Sequence, residues 1–449
     1  MRPAILLIAV AIGACAHGTP PAGAAQPRPS YAYTVTPPAA GSWIVDVEAR
    51  LDGAPSNRLL GPEVLQVSRH DGECTRSCRL HYTLDMEALA ASCRRIDCAR
   101  RVGDAVIGTA ASWILLPDPA GDAAIHVDVR GDSSRFATGL RRDPNGGYTF
   151  TARELSEASY TAFGSFRRSA LAVSDATLQA VLLGQPLAMG DEAATSWVKD
   201  AATCVAGLYG RFPVDATVFI VPVQGADEVV FGRTMSLAGA SVALLFGSQT
   251  KATTEHDDWV VVHELSHLGT ASFMGEGHWL EEGLATYYEP ILRERAGWMT
   301  ERQLWEHFVR EMPRGLPRPG EPPNIEERDD IDSTYWGGAL FAFLADLRIR
   351  TGTHGTRSLD DVMRAALARL GDSTHEARLA DFLRTGDEAT GTDALGSVDA
   401  GFAVRGRPPD LDATWRSLGV EPQADGTVML HDDAPLAAVR RAIALGSAH

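Results

Sequence analysis

The segment His263-Glu264-Leu265-Ser266-His267 restricts this chain more than any other. Two histidines four residues apart reach the same point in space only on a helix, because positions i and i+4 share a helix face. The run before it, Asp257-Asp258-Trp259-Val260-Val261-Val262, puts acidic side chains where a helix N-terminus favours them, followed by apolar ones suited to a core. The spacing predicts a helix whose two imidazoles converge on one cation, with Glu264 beside the water that such a cation carries. The plainer reading is two solvent-facing histidines on an amphipathic helix. A catalytic zinc makes one further demand, a third protein ligand and an open fourth position.

The next predicted helix begins Trp279-Leu280-Glu281-Glu282-Gly283-Leu284-Ala285-Thr286-Tyr287-Tyr288-Glu289. It resembles the W-L-x-E-G-x-A-x-Y segment of gluzincin peptidases, in which the Glu before Gly is the third zinc ligand. The resemblance implies one Zn²⁺ held by His263, His267 and Glu282, with Glu264 as the catalytic base, and a thermolysin-like peptidase domain around them. Glu281 falls at the variable position of the motif. A metzincin arrangement, HExxHxxGxxH, would need Gly and His where the chain has Thr270 and Phe273. His278 is then surplus and is expected in a loop or pocket wall. Glu289 lies seven residues beyond Glu282 on the same helical face, where it either orients a zinc-binding histidine or meets solvent.

Further along, Ser333-Thr334-Tyr335-Trp336-Gly337-Gly338-Ala339-Leu340, the run to Arg350, and Ser358-Leu359-Asp360-Asp361 form a second recognisable stretch. It resembles the Y-x-x-G-A-L, L-D-L-R-I-R and S-L-D-D segments of the glycyl aminopeptidases, metallopeptidase family sixty-one, which are related to the aminopeptidase N and leukotriene hydrolase group. The resemblance implies that Tyr335 donates a hydrogen bond to the oxyanion. It also implies a peptide or protein substrate. Two departures stand out. Only fourteen residues separate His267 from Glu282, fewer than in typical aminopeptidases, so the loop roofing the site is expected to differ. The family's edge-strand Glu for the substrate α-amine has no acidic counterpart in Gly239 to Leu244, leaving Glu289 or Glu281 as stand-ins. The substrate is expected to add as a strand along Ser241 to Phe246. The family's PDZ-like module is not recognisable after Val420.

The rest of the chain supplies context. Its 449 residues suffice for two or three domains, and 41 Lys and Arg against 58 Asp and Glu give a net charge of −17, which argues against nucleic acid as a partner. Met1 to Ala14 has the anatomy of a secretory signal, and Ile12-Gly13-Ala14-Cys15 resembles a lipobox in which Cys15 is lipidated. Cleavage after Ala24 would instead release a soluble protein. An exported, periplasmic or cell-envelope lipoprotein is therefore expected, touching membrane only through that anchor. Cys74, Cys78, Cys93 and Cys98 suit two disulfides in an oxidising compartment or a four-thiolate zinc site, and Cys204 is left over as a buried thiol.

The expected fold is multidomain α+β. Residues 1–15 read as signal, 16–41 as a Pro/Ala/Gly-rich tether, and 42–168 as a β-sandwich-like N-terminal domain with strands at Trp43 to Val47, Ser112 to Leu116, Ile125 to Val129 and Tyr148 to Thr151. Residues 169–300 read as the catalytic domain, with strands at Thr217 to Val223 and Ser241 to Phe246. Residues 301–420 read as C-terminal helices, and 421–449 as a tail with a short strand and a helix. Glu326 to Asp332 reads as a solvated acidic surface. The competing expectation is a catalytically inactive peptide-binding or envelope-assembly lipoprotein that keeps the fold.

Overall fold

The computed structural model describes residues 28–446 apart from 94 and 274. The expected signal and Cys15 lie outside the described residues. Among those described, no helix is long and apolar enough to cross a membrane.

The N-terminal unit is built on a six-stranded sheet and a four-stranded sheet. Period-two alternation makes the larger one: in Ile44–Asp52 the residues Val45, Val47, Ala49 and Leu51 face inward and their neighbours outward. The tether is shorter than expected. Ser30–Thr36 is already an inner strand, antiparallel to Ile44–Asp52 and parallel to Ala124–Val129, because Tyr31, Tyr33 and Val35 alternate into the core. Proline and alanine around this run hid the alternation. Of Ser112 to Leu116 only Leu116 is in a strand, the two-residue Leu116–Pro117. A turn of 3-10 helix at Ala110–Ser112 precedes it, and Trp113, Ile114 and Leu115 are apolar because they are buried, with the Trp113 ring edge-on to Phe136 and Phe163. The cysteines pair as neighbours, Cys74 with Cys78 and Cys93 with Cys98, which sets aside the four-thiolate reading. Cys204 is free and half-buried.

A third, five-stranded sheet starts at Arg167–Val173, slightly before the expected boundary. In spatial order these are Arg167–Val173, Ala176–Leu182, Ala216–Val223, Ser241–Gly247 and Val229–Met235. Ser241–Gly247 is buried along its whole length and pairs on both sides, parallel to Ala216–Val223 and antiparallel to Val229–Met235. It therefore has no free edge for a substrate, contrary to expectation. The edge belongs to Val229–Met235, whose Gly232-Arg233-Thr234 centre interrupts the apolar pattern that marks a buried strand.

Helices complete the molecule. Val260–His267 and His278–Arg295 stand beside this sheet, and Gly338–Gly352 packs on the latter. That packing depends on absent side chains, since a Cβ on Gly283 would overlap the backbone of Gly338, and one on Gly338 would overlap Gly283 and the Trp279 carbonyl. The acidic stretch is not simply solvated. Glu326 accepts from the Gly277 amide at 2.8 Å, and Asp330 and Asp332 pair with Arg318 and Arg314. The tail holds two short strands, Val420–Pro422 and Val428–Leu430, and the helix Ala437–Leu445. Arg440 anchors it, buried between Glu301 at 2.9 Å and Asp432 at 2.5 Å.

Candidate active site

The motif helix runs Val260–His267, and one of its first free amides, that of Val261, is met by the Asp258 carboxylate at 3.3 Å. Val261, Val262 and Leu265 are buried and fix its rotation. That leaves His263, Glu264 and His267 facing the following helix, which carries Glu282. His263 Nε2 lies 3.2 Å from Glu282 Oε2 and 3.3 Å from His267 Nε2, and His267 Nε2 lies 3.6 Å from Glu282 Oε2. Tetrahedral zinc with ligand bonds near 2.0–2.1 Å requires donor separations of about 3.3–3.4 Å. The three donors thus fit a single zinc ion by spacing as well as by type.

Electrostatics agree. Glu282 is partly buried, which opposes its charge, yet the two imidazoles hold it well below the usual carboxylate range. Burial opposes charge on His267, but Glu282 outweighs this and holds its pKa up at about 9. Burial pushes the Glu264 carboxyl upward, against the pull of His267 and His263. Its Oε2 and its own carbonyl both accept from Thr234 Oγ1, at 2.9 and 2.8 Å, so the edge strand is hydrogen-bonded to the residue beside the ligands.

Tyr335 comes to the same place by a different local device. Ser333–Gly337 is a turn of π-helix leading into Gly338–Gly352, and π-turns re-aim side chains at functional positions. Its ring lies parallel to that of His263, centroids 5.8 Å apart and planes within 11°. Burial, then the carboxylates of Glu282 and Glu264, raise the phenol's pKa, so it stays protonated and able to donate.

Glu289 does not reach a ligand. It is buried, accepts from Arg293 at 2.7 Å and is pushed up to about 7 by burial, whereas His263 Nδ1 is buried without a hydrogen-bond partner. Seven residues carry Glu289 nearly two turns along, where Arg293, one turn further on, claims it first. Glu281 is also engaged, taking the Phe273 amide and lying 3.5 Å from His278. His278 is mostly exposed and lines the groove, as its surplus status implied.

The groove beside these residues has a volume of about 610 Å³. One wall is the edge strand from Phe231 onward, and Glu157 of the N-terminal unit and Ser373 of the helical unit close other sides. Gly232, Arg233 and Thr234 were not identified from the sequence. Their only signal is a glycine and two polar residues inside an otherwise β-favouring run.

No family model matches the chain, and no curated protein matches it. Solved structures do. An aminopeptidase N family protein from Idiomarina loihiensis superposes with TM-score 0.60 at 15% identity, covering 87% of this chain and 80% of that one. An M1 zinc metallopeptidase from Deinococcus radiodurans gives TM-score 0.52 at 16% identity over 86% of this chain and 96% of that one. The chain has an aminopeptidase N-like fold. A point mutant of the Deinococcus enzyme was solved with a Tyr-Ser-Ala substrate, at TM-score 0.50 and 15% identity, with 86% of this chain and 96% of that one covered.

Proposed function

We propose that the protein is a zinc-dependent peptidase that hydrolyses peptide bonds, exported and anchored through Cys15. The observation that carries this reading is the convergence of His263, His267 and Glu282 at zinc-ligand spacing, with Glu264 and Tyr335 lining the same groove. The peptidase names of the fold neighbours agree with it. The narrower likeness to glycyl aminopeptidases rests on residues 333–364 alone.

His263, His267 and Glu282 would hold the zinc, which would lower the pKa of its water to about 7 and polarise the substrate carbonyl. The chain's own residues do the remainder. The substrate backbone pairs with the free edge of Val229–Met235, which brings the scissile carbonyl beside Glu264. Glu264 takes the proton of the attacking water and returns it to the leaving amine, while Thr234 keeps its carboxylate from rotating away. The Tyr335 hydroxyl donates to the oxygen on which negative charge grows, a contact stronger in the transition state than in the bound substrate.

The test compares wild type with Glu264→Gln for zinc content and for cleavage of a quenched peptide library carrying free and blocked N-termini. Peptidase action requires stoichiometric zinc in both proteins and a loss of about 10²–10⁴-fold in the variant. Equal, negligible cleavage by both proteins returns the chain to the non-catalytic peptide-binding reading.

A further inference from the structure

Arg233 is the only lysine or arginine among the described residues lining the groove. Strand alternation sets its direction. Gly232 and Thr234 face the motif helix, where the first packs on Glu264 and the second hydrogen-bonds to it. Arg233 therefore projects to the opposite face of the same edge strand, beside Met235, whose Sδ lies 3.4 Å from Arg233 Nε. Among the described residues its one ion-pair partner is Asp97 of the N-terminal unit, at 3.5 Å. Asp97 is already shared, accepting from the Tyr160 hydroxyl at 2.8 Å and from Arg95 at 3.1 Å. A guanidinium has five N–H donors, so one long ionic contact and one to a thioether sulfur leave most of this fork unfilled, and the side chain is 36% exposed.

The acidic residues of the groove do not offset it. Glu282 belongs to the ligand cluster, Glu264 accepts from Thr234, Glu281 is taken by the Phe273 amide, and Glu157 stands on the exposed rim. A peptide added to this edge repeats the alternation of the strand. A residue whose side chain points to the Arg233 face has neighbours pointing to the Glu264 face.

We propose that Arg233 is a specificity-determining residue, selecting peptides that carry a carboxylate side chain on a residue adjoining the scissile bond. This rests on the peptidase reading above and names its substrate class. One charge-assisted, bidentate contact gives about a tenfold preference for Glu over Gln at that position.

The experiment uses the full zinc-loaded chain and matched peptides with Glu, Gln or Lys next to the cleaved bond, comparing wild type, Arg233→Met and Arg233→Glu. The expected result is a Glu-to-Gln ratio of about ten in kcat/KM for wild type, carried mostly by KM, about one for Arg233→Met, and a turn towards Lys for Arg233→Glu. The same ratios are measured as dissociation constants by fluorescence anisotropy in the Glu264→Gln background, where no turnover is needed. Binding that follows Arg233 while no peptide is cleaved overturns the peptidase reading and leaves the selectivity standing. Equal affinity of wild type for Glu and Gln peptides, an unchanged ratio in Arg233→Met, or a wild-type preference for Lys, which would point to Glu157, overturns the proposal.

Discussion

Gly232 on the edge strand lies directly against Glu264, so that a Cβ at position 232 would overlap the Glu264 Cγ. The strand proposed to receive substrate is thus packed against the carboxylate proposed to move the proton. Neither can shift alone. Replacing Gly232 with Ala should therefore lower kcat by at least about tenfold, since misplacement of a catalytic group by a fraction of an ångström is costly. Zinc content should stay at one per chain. Activity within twofold of wild type in a zinc-loaded Gly232→Ala protein would show that Glu264 has room to move.

Tyr335→Phe removes one hydroxyl and keeps the ring that stacks on His263. Loss of an oxyanion donor typically costs about 10²–10³-fold in kcat. KM and metal content should change little, and circular dichroism should match wild type. A fall in kcat of less than threefold would remove Tyr335 from the chemistry.

Asp258 at the start of the motif helix is pushed up to about 6, chiefly by burial, against its ordinary 3.8. A carboxyl whose pKa is raised on folding binds more protons in the native than in the unfolded state, so its contribution to stability falls as pH rises between about 4 and 6 and is lost above that. Asp258→Asn has no such group. The difference in unfolding free energy, variant minus wild type, should climb across this window by about 1–3 kcal/mol and then level off. Urea titrations at pH 4, 5, 6 and 7 read it directly, and a flat difference would contradict the buried, protonatable carboxyl.

Gly283 and Gly338 allow two helices to touch backbone to backbone. Gly283→Ala must part them, as no flexible side chain is available to yield. Overpacking of this kind costs about 1–3 kcal/mol or more. Because Glu282 is the adjacent residue, thermal unfolding should shift downward and zinc affinity should weaken together. Unchanged values of both would mean that the helices are not held at this distance in solution.

Cys15→Ser tests the anchor. If Cys15 is lipidated, the wild-type protein expressed with its own leader fractionates with membranes and incorporates labelled fatty acid, and the variant does neither. Equal partitioning of the two proteins would point to ordinary cleavage and a soluble product.

Much of the candidate site was legible because its information is local. The spacing of His263 and His267 prescribes a shared helix face through periodicity alone, and Glu282 was legible through the likeness of Trp279 to Glu289 to the gluzincin segment. Strands such as Tyr148–Thr151 were legible for the same reason, with period two in place of period 3.6. What stayed hidden depends on pairing between distant segments. Ser241–Gly247 and Val229–Met235 are neighbours in space, and nothing local states which one has the free edge; the order of strands does. Glu289 shares a helix face with Glu282 as periodicity requires, but only packing shows that Arg293 takes its carboxylate.

Helical spacing in the sequence was enough to put His263 and His267 on one face, and the likeness to the gluzincin segment was enough to single out Glu282 as their expected partner. Tertiary structure alone decided which strand borders them, and with it the identity of Gly232, Thr234 and Arg233 as groove residues. The physical reason is that backbone hydrogen bonding within a helix is fulfilled by nearby residues, whereas the edge of a sheet is defined by the absence of a partner that could come from anywhere in the chain.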